Sequence, residues 1–417
     1  MPTINLLKEK QLNWFIDLVT EVWKLRVSDV QLVPYSTPHL RMVKKGMTRL
    51  DVKGFSNDES LSILQQCISK DQIDSLYAAC TYNEISSIKK VDKTSQHYSF
   101  DCDGNWRVRV TFYKGSYVQG SSAEEGNSFT TGSSNTSQLC VGLRILPHTP
   151  LMFSSLGFPE ELLNKIKDRP GLVAVCGITG AGKSTTLSSL MVELSRLEGH
   201  HLGTLEAPIE YVIRKQAIHD SSLVVQSEIG PDFPSWSLGV ESFLRRELDT
   251  VVIGESFPFE TNEGGTLNLT ELVIQLAGTG HRVMTTLHAK DFYEAFFKLT
   301  WRKNAHDTLA AKIMALRHLS AIIVQQLVCV PNRRENARTP YRVKLYFGVL
   351  TFDEDTREMA ISCLDKEGEE QDLRRIFDLR VAKGIDGCVP FNSIAQSLLA
   401  EGVEPSQFRI GPDISML

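Results

Sequence analysis

Gly177-Ile178-Thr179-Gly180-Ala181-Gly182-Lys183-Ser184 carries the most specific chemistry in the chain. Its spacing, G-x-x-x-x-G-K-[ST], is that of a loop that cradles a polyphosphate. Small residues let successive backbone N–H groups turn inward around the phosphates, and a helix that begins at the loop's end adds favourable partial charge. Lys183 would reach the β- and γ-phosphates and the Ser184 hydroxyl would coordinate Mg²⁺. Gly177, Thr179, Gly180, Ala181, Gly182 and Thr185 complete the expected nucleotide-lining set. The flanks agree, with Leu172-Val173-Ala174-Val175 reading as a strand before the loop and Thr185 to Arg196 as a helix after it. Guanine specificity is disfavoured. The base-reading Asn-Lys-x-Asp should follow the loop, whereas Asn164-Lys165-Ile166-Lys167 precedes it and lacks the Asp.

Carboxylates and imidazoles follow at intervals. Asp249-Thr250-Val251-Val252-Ile253-Gly254-Glu255 reads as an apolar strand ending in an acid. A carboxylate at the C-terminal end of a strand faces the crevice where open α/β sheets bind ligands, so Glu255 could orient metal or water. Between loop and strand, Glu206 closes another apolar stretch that Pro208 stops, and Glu206 and Glu210, four apart, read by themselves as solvated loop charges. His281 and His288 bracket a short strand after Gly278-Thr279-Gly280 and could sense a γ-phosphate.

These residues need a scaffold, and composition allows one. The chain has 417 residues, 42% hydrophobic and 23% charged, which suits about two to three globular domains. The net charge of −5 argues against coating nucleic acid by bulk charge, and no specific nucleic-acid readout is expected. The 8 cysteines show no C-x-x-C pair, which disfavours a zinc ribbon or a disulfide framework. No window approaches the roughly 20 apolar residues of a membrane span and the N-terminus carries no signal-like apolar run, so a cytoplasmic protein is expected.

Along the chain, residues 1–30 read as a helix whose buried face carries Phe15, Leu18, Val19 and Val22. Strands are expected near 29–34, 39–43, 96–102, 106–113 and 139–146, with a hairpin turn at Asp103-Gly104-Asn105. Residues 115–138, rich in Ser and Gly, read as a mobile insertion between two strands. Strand and helix patterns alternate from 156 to about 330, the signature of a parallel α/β sheet. A strand at Tyr341–Phe352 and short helices over 365–401 follow. The expected domains are 1–147 (α+β), a linker at 148–155, a phosphate-loop domain at 156–335, and a strand plus helical extension at 336–417.

The blocks in this order resemble the secretion and motor ATPase superfamily of type II and type IV secretion and type IV pili. Gly177–Ser184 is similar to its Walker A box, Thr204–Glu210 to its Asp box, Val251–Glu255 to its Walker B box, and Gly278–His288 to its His box. Leu319–Leu327 is similar to the helix that follows these boxes. Ser28-Asp29-Val30-Gln31-Leu32, Arg107-Val108-Arg109-Val110 and Arg144-Ile145-Leu146-Pro147 resemble motifs of its N-terminal domain. The Ser/Gly insertion, the late strand and the lack of a PilT-like C-terminal motif make the DotB and TraJ branch of type IVB secretion and conjugation the most similar.

The resemblance implies a RecA-like α/β ATPase domain behind a PAS-like α+β domain, ATP and Mg²⁺ as ligands, and a homo-hexamer. It implies a cytoplasmic ring on the inner-membrane face of a secretion or pilus complex. Glu206 would polarise the attacking water, and Glu255 and Ser184 would support the metal. Arg107, Arg109 and Arg144 would reach the phosphates from the N-terminal domain. His281 and His288 would couple γ-phosphate state to domain rotation. Three positions depart from the family pattern: Ala207 replaces the Asp of the Asp box, Glu255 is not followed by Arg-Asp, and Ser227 replaces the Arg of Gln-Arg-Glu. A pilus motor and a weakly hydrolysing nucleotide-binding scaffold stay open as alternatives.

Overall fold

The computed structural model describes residues 29–32, 39–42, 46–49, 95–102, 106–115 and 138–147. From residue 149 onward it describes all but 214–217, 257, 261–265, 303–304, 332–340 and 385–417. The chain forms two compact units, Met1–His148 and Thr149–Leu417. The expected N-terminal helix and the interior of the Ser/Gly segment lie outside the described residues, as does the C-terminal stretch after residue 384.

The first unit contains an antiparallel sheet of β1 (Asp29–Leu32), β2 (His39–Met42), β3 (Gly46–Arg49), β4 (Ser95–Cys102), β5 (Trp106–Gly115) and β6 (Gln138–Pro147), in the order β3-β2-β1-β6-β5-β4. All five strands expected from sequence form, and β3 was not foreseen. Cys102 pairs with Trp106 and Gly115 with Gln138, so Asp103-Gly104-Asn105, whose expected turn lies outside the described residues, and the Ser/Gly segment each connect two paired antiparallel strands. Alternation along the strands separates two faces. Val30, Val108, Leu143 and Ile145 are buried on one. On the other, Arg109 lies directly across from Arg144, which in turn lies across from Asp29.

The second unit is built on a seven-stranded sheet. Its strands are β7 (Gly171–Cys176), β8 (His201–Glu206), β9 (Leu223–Glu228), β10 (Thr250–Ile253), β13 (Arg282–Leu287), β14 (Leu319–Pro331) and β15 (Tyr341–Thr351). A separate small ribbon pairs β11 (Pro258–Glu260) with β12 (Thr266–Asn268). The main order is β15-β14-β7-β13-β10-β8-β9, parallel throughout except for β15, which is antiparallel to β14.

Helices cover both faces. On one side, Val173, Val175, Val252, Met284 and Ile323 pack with α1 (Glu160–Asp168) and α2 (Lys183–Ser195). On the other, Leu172, Ala174, Val251, Val283 and Ile322 pack against α3 (Trp236–Leu244), α4 (Leu269–Gly278), α5 (Phe292–Thr300) and α6 (Ala305–His318). The same core takes in α7 (Glu354–Cys363) and α8 (Glu369–Gly384) through Ala360, Leu373, Ile376 and Phe377. Residues after 336 therefore supply an edge strand and two core-forming helices to this sheet.

Leu319–Leu327 is strand, not the helix that the resemblance suggested. The run Ala321-Ile322-Ile323-Val324 is buried on both faces, with β-branched residues that fit the pleated interior of a parallel sheet. Helix α6 ends at His318, and β14 begins at the next residue.

At the N-terminal edge of this sheet, Arg282 is 8% exposed. Its Nε and Nη2 donate to the Ile166 and Lys167 carbonyls, each at 2.7 Å, which closes the last turn of α1.

Candidate functional site

The site assembles where β7, β8, β10 and β13 end. β7 delivers the loop, whose glycines are demanded by geometry. Gly182 takes φ +83, and a Cβ on Gly177 would lie 2.5 Å from the Gln325 carbonyl oxygen. Helix α2 starts at Lys183, so its first-turn N–H groups face the loop. The Lys183 side chain is buried and folds back over the loop, donating to the carbonyls of Gly177 (3.0 Å) and Ile178 (3.2 Å). Thr179 and Gly180 are exposed at the rim, Ala181 is buried, and Ser184 and Thr185 are half-buried in the first turn. The Thr185 hydroxyl pairs with the Tyr211 hydroxyl at 2.9 Å.

A relay links three of the expected residues. Lys183 Nζ lies 3.3 Å from His288 Nδ1, and His288 Nε2 lies 2.9 Å from Glu255 Oε1. An ammonium can only donate, so Nδ1 accepts and Nε2 carries the proton that it donates to Glu255. Burial lowers the His288 pKa, and Lys183 lowers it further against the opposing pull of Glu255. Burial also lowers the Lys183 pKa, with Glu255 opposing. Cys176, just before the loop, is fully buried and its thiol is pushed up to about 12, so it stays an uncharged wall.

Glu206 ends β8 and is 8% exposed. Its Oε1 accepts from the Thr204 hydroxyl at 2.7 Å and from Gln226 Nε2 at 3.2 Å. The same Gln226 nitrogen donates to the Tyr211 carbonyl at 2.8 Å, and its Oε1 accepts from the Ile213 N–H at 2.8 Å. Gln226 thereby ties the carboxylate to the segment that follows it. A Cβ on Gly254 would lie 3.3 Å from Glu206 Cγ, so the ends of β8 and β10 sit in contact. Thr204, Gln226 and Tyr211 were not singled out from sequence as site residues. They arrive through strand pairing and chain return, which leave no local signal.

His281 does not join the site. It precedes β13, and its carbonyl accepts from the N–H of Gly171, the first residue of β7. The phosphate loop leaves the other end of β7, so the length of that strand, about 20 Å, separates His281 from it. Its Nδ1 pairs instead with the Thr279 hydroxyl at 2.8 Å. In the first unit, Arg144 Nε donates to Asp29 Oδ1 at 2.9 Å. Arg109 and Arg144 line one concavity with Gln31 and Tyr113, and Arg107 holds a same-face register position two residues before Arg109.

Among the described residues, no three His, Cys, Asp or Glu side chains cluster as metal ligands. No described helix is long and apolar enough to cross a membrane.

A largely parallel sheet with a phosphate loop after the interior strand β7, and acids at the same edge after β8 and β10, defines a RecA-like α/β nucleotide-binding domain. The family model for Type II/IV secretion system proteins matches residues 133–375, and the chain belongs to that family. It is 31% identical to the Escherichia coli protein YggR over 189 residues, 45% of this chain and 54% of that one. It is 32% identical to the Pseudomonas aeruginosa type IV pilus retraction ATPase PilT over 188 residues, 44% of this chain and 50% of that one. The chain thus spans about half the length of the curated relatives it matches. Its fold is similar to that of the Legionella pneumophila ATPase DotB (TM-score 0.67, 23% identity, 94% of both chains). It is also similar to the pilus retraction motor PilT with bound ADP (TM-score 0.63, 21% identity, 94% of this chain and 98% of that one).

Proposed function

We propose that the chain binds ATP at Gly177–Ser184 and hydrolyses it, working as a hexameric motor of a type IVB-like or conjugative secretion system on the cytoplasmic face of the inner membrane. The observation that carries the hydrolytic reading is the convergence of Lys183, Glu206, Glu255 and His288 on one edge of the sheet. Phosphoryl transfer to water asks mainly for positioning and charge neutralisation. The loop amides and Lys183 would hold the phosphates, and Glu206, fixed by Thr204 and Gln226, would orient and deprotonate the water. Mg²⁺, held by Ser184 with Glu255 in support, would supply charge neutralisation. Arg107, Arg109 and Arg144 would bring cationic donors from the N-terminal unit, since the carboxylates can only accept hydrogen bonds. Ala207 leaves Glu206 to act without the neighbouring acid of the family box.

The motif set and the DotB-like fold over most of the chain support the secretion reading. The identity to PilT favours pilus retraction as a second reading. The assembly has its own test. Light scattering on the purified chain with Mg²⁺ and ATP should give about six chain masses. A monomer at every concentration that supports turnover would contradict the ring.

A further inference from the structure

We infer that Gln325 is a positioning residue that braces the phosphate loop from the neighbouring strand, an inference that rests on the nucleotide reading of that loop. β14 runs parallel to β7, and Val324 pairs with Cys176, so residue 325 stands level with Gly177, where the loop begins. Its backbone oxygen occupies the space that a Cβ on Gly177 would need. Its side chain reaches the far end of the same loop, where Nε2 donates to the Ala181 carbonyl at 2.8 Å. A Cβ on Gly182 would lie 3.4 Å from that nitrogen and 3.3 Å from Leu327 Cδ1. One residue therefore touches the loop at both ends.

The amide has only one workable orientation. Gln325 is 1% exposed, and its Oε1 accepts no hydrogen bond among the described residues. Turned over, the amide would set two oxygens against each other at Ala181 and still bury an unpaired group. A buried acceptor without a donor is unfavourable, and an apolar side chain of the same length would avoid it. What the amide adds is the bond to Ala181. A trans peptide carries its C=O and N–H on opposite sides, so capturing the Ala181 oxygen on the β14 side directs the Gly182 N–H away from β14. That fixes one of the donors an anion-binding loop needs. β14 also continues from α6, whose end is clasped by Arg357 of α7 through the Leu316 and Leu319 carbonyls.

The test uses Gln325→Met and Gln325→Glu in the full chain. It measures affinity for a fluorescent ADP analogue, KM and kcat for ATP, and the thermal unfolding midpoint without nucleotide. Gln325→Met keeps length and burial but lacks the donor. It should unfold at the wild-type temperature while binding ADP about five- to tenfold more weakly, the loss appearing in KM rather than kcat. Gln325→Glu, which sets a carboxylate against the Ala181 oxygen, should bind more weakly still. Wild-type affinity in Gln325→Met beside a wild type that binds would overturn the brace alone, as would a loss of affinity that only follows a lowered unfolding midpoint. Failure of the wild-type chain to bind ADP would overturn the nucleotide reading and the brace with it.

Discussion

Lys183→Ala is expected to weaken ATP and ADP binding severely and to lower phosphate release by about 10²- to 10³-fold, the scale of a lost electrostatic donor at a developing charge. The reason lies in where the ammonium sits. It spans the loop carbonyls of Gly177 and Ile178 and the imidazole of His288, all within 3.3 Å. Burial disfavours its charge, and Glu255, acting across His288, restores part of it. A phosphate arriving there would complete the neutralisation. With alanine the loop keeps its amides but loses its only cation. A Lys183→Ala chain that binds ADP with wild-type affinity, measured by titration with a fluorescent analogue, would show that nucleotide lies elsewhere.

Glu206→Gln should separate binding from chemistry. Glutamine keeps the shape and still accepts hydrogen bonds from Thr204 and Gln226, so the end of β8 should be undisturbed. What it lacks is the basicity to take a proton from water. Loss of a general base typically removes about 10²- to 10⁴-fold of rate. The variant should therefore bind ATP at least as well as wild type, unfold at the same temperature and release phosphate at least about 100-fold more slowly. A modest loss in Glu206→Gln beside a severe one in Glu255→Gln would transfer the base role to Glu255.

What the sequence made legible was local. The phosphate loop is a strand, a turn and a helix in succession, so its glycines, Lys183 and Ser184 could be assigned without knowing any distant contact. Glu255 is also readable, because an apolar run ending in a carboxylate reports its own position at the sheet edge, whereas Glu206 and Glu210 read by themselves as solvated loop charges and only the resemblance singles out Glu206, which the fold buries at the end of β8. His281 and His288 show the limit. They flank one strand, and a parallel strand carries its two ends to opposite edges of the sheet. Only the C-terminal one can meet the loop, a consequence of direction that spacing does not reveal. The resemblance implies a helix at Leu319–Leu327, whereas Ile322, Ile323 and Val324 favour the buried strand that forms there. Gln226 and Gln325 carry no local signal of their contacts. Their contacts depend on which strands become neighbours: β9 beside β8 places Gln226 at Glu206, and β14 beside β7 places Gln325 under the loop.

Ala207 sharpens the question of whether this site turns over ATP or only holds it, and one measurement decides that most directly. The full chain with Mg²⁺ and saturating ATP is followed for phosphate release over many equivalents, beside Lys183→Ala purified in the same way. Phosphate released steadily past several equivalents per chain, with Lys183→Ala at background, is the expected result. Tight ATP binding with release no faster than that of Lys183→Ala would contradict hydrolysis and leave a nucleotide-bound scaffold in its place.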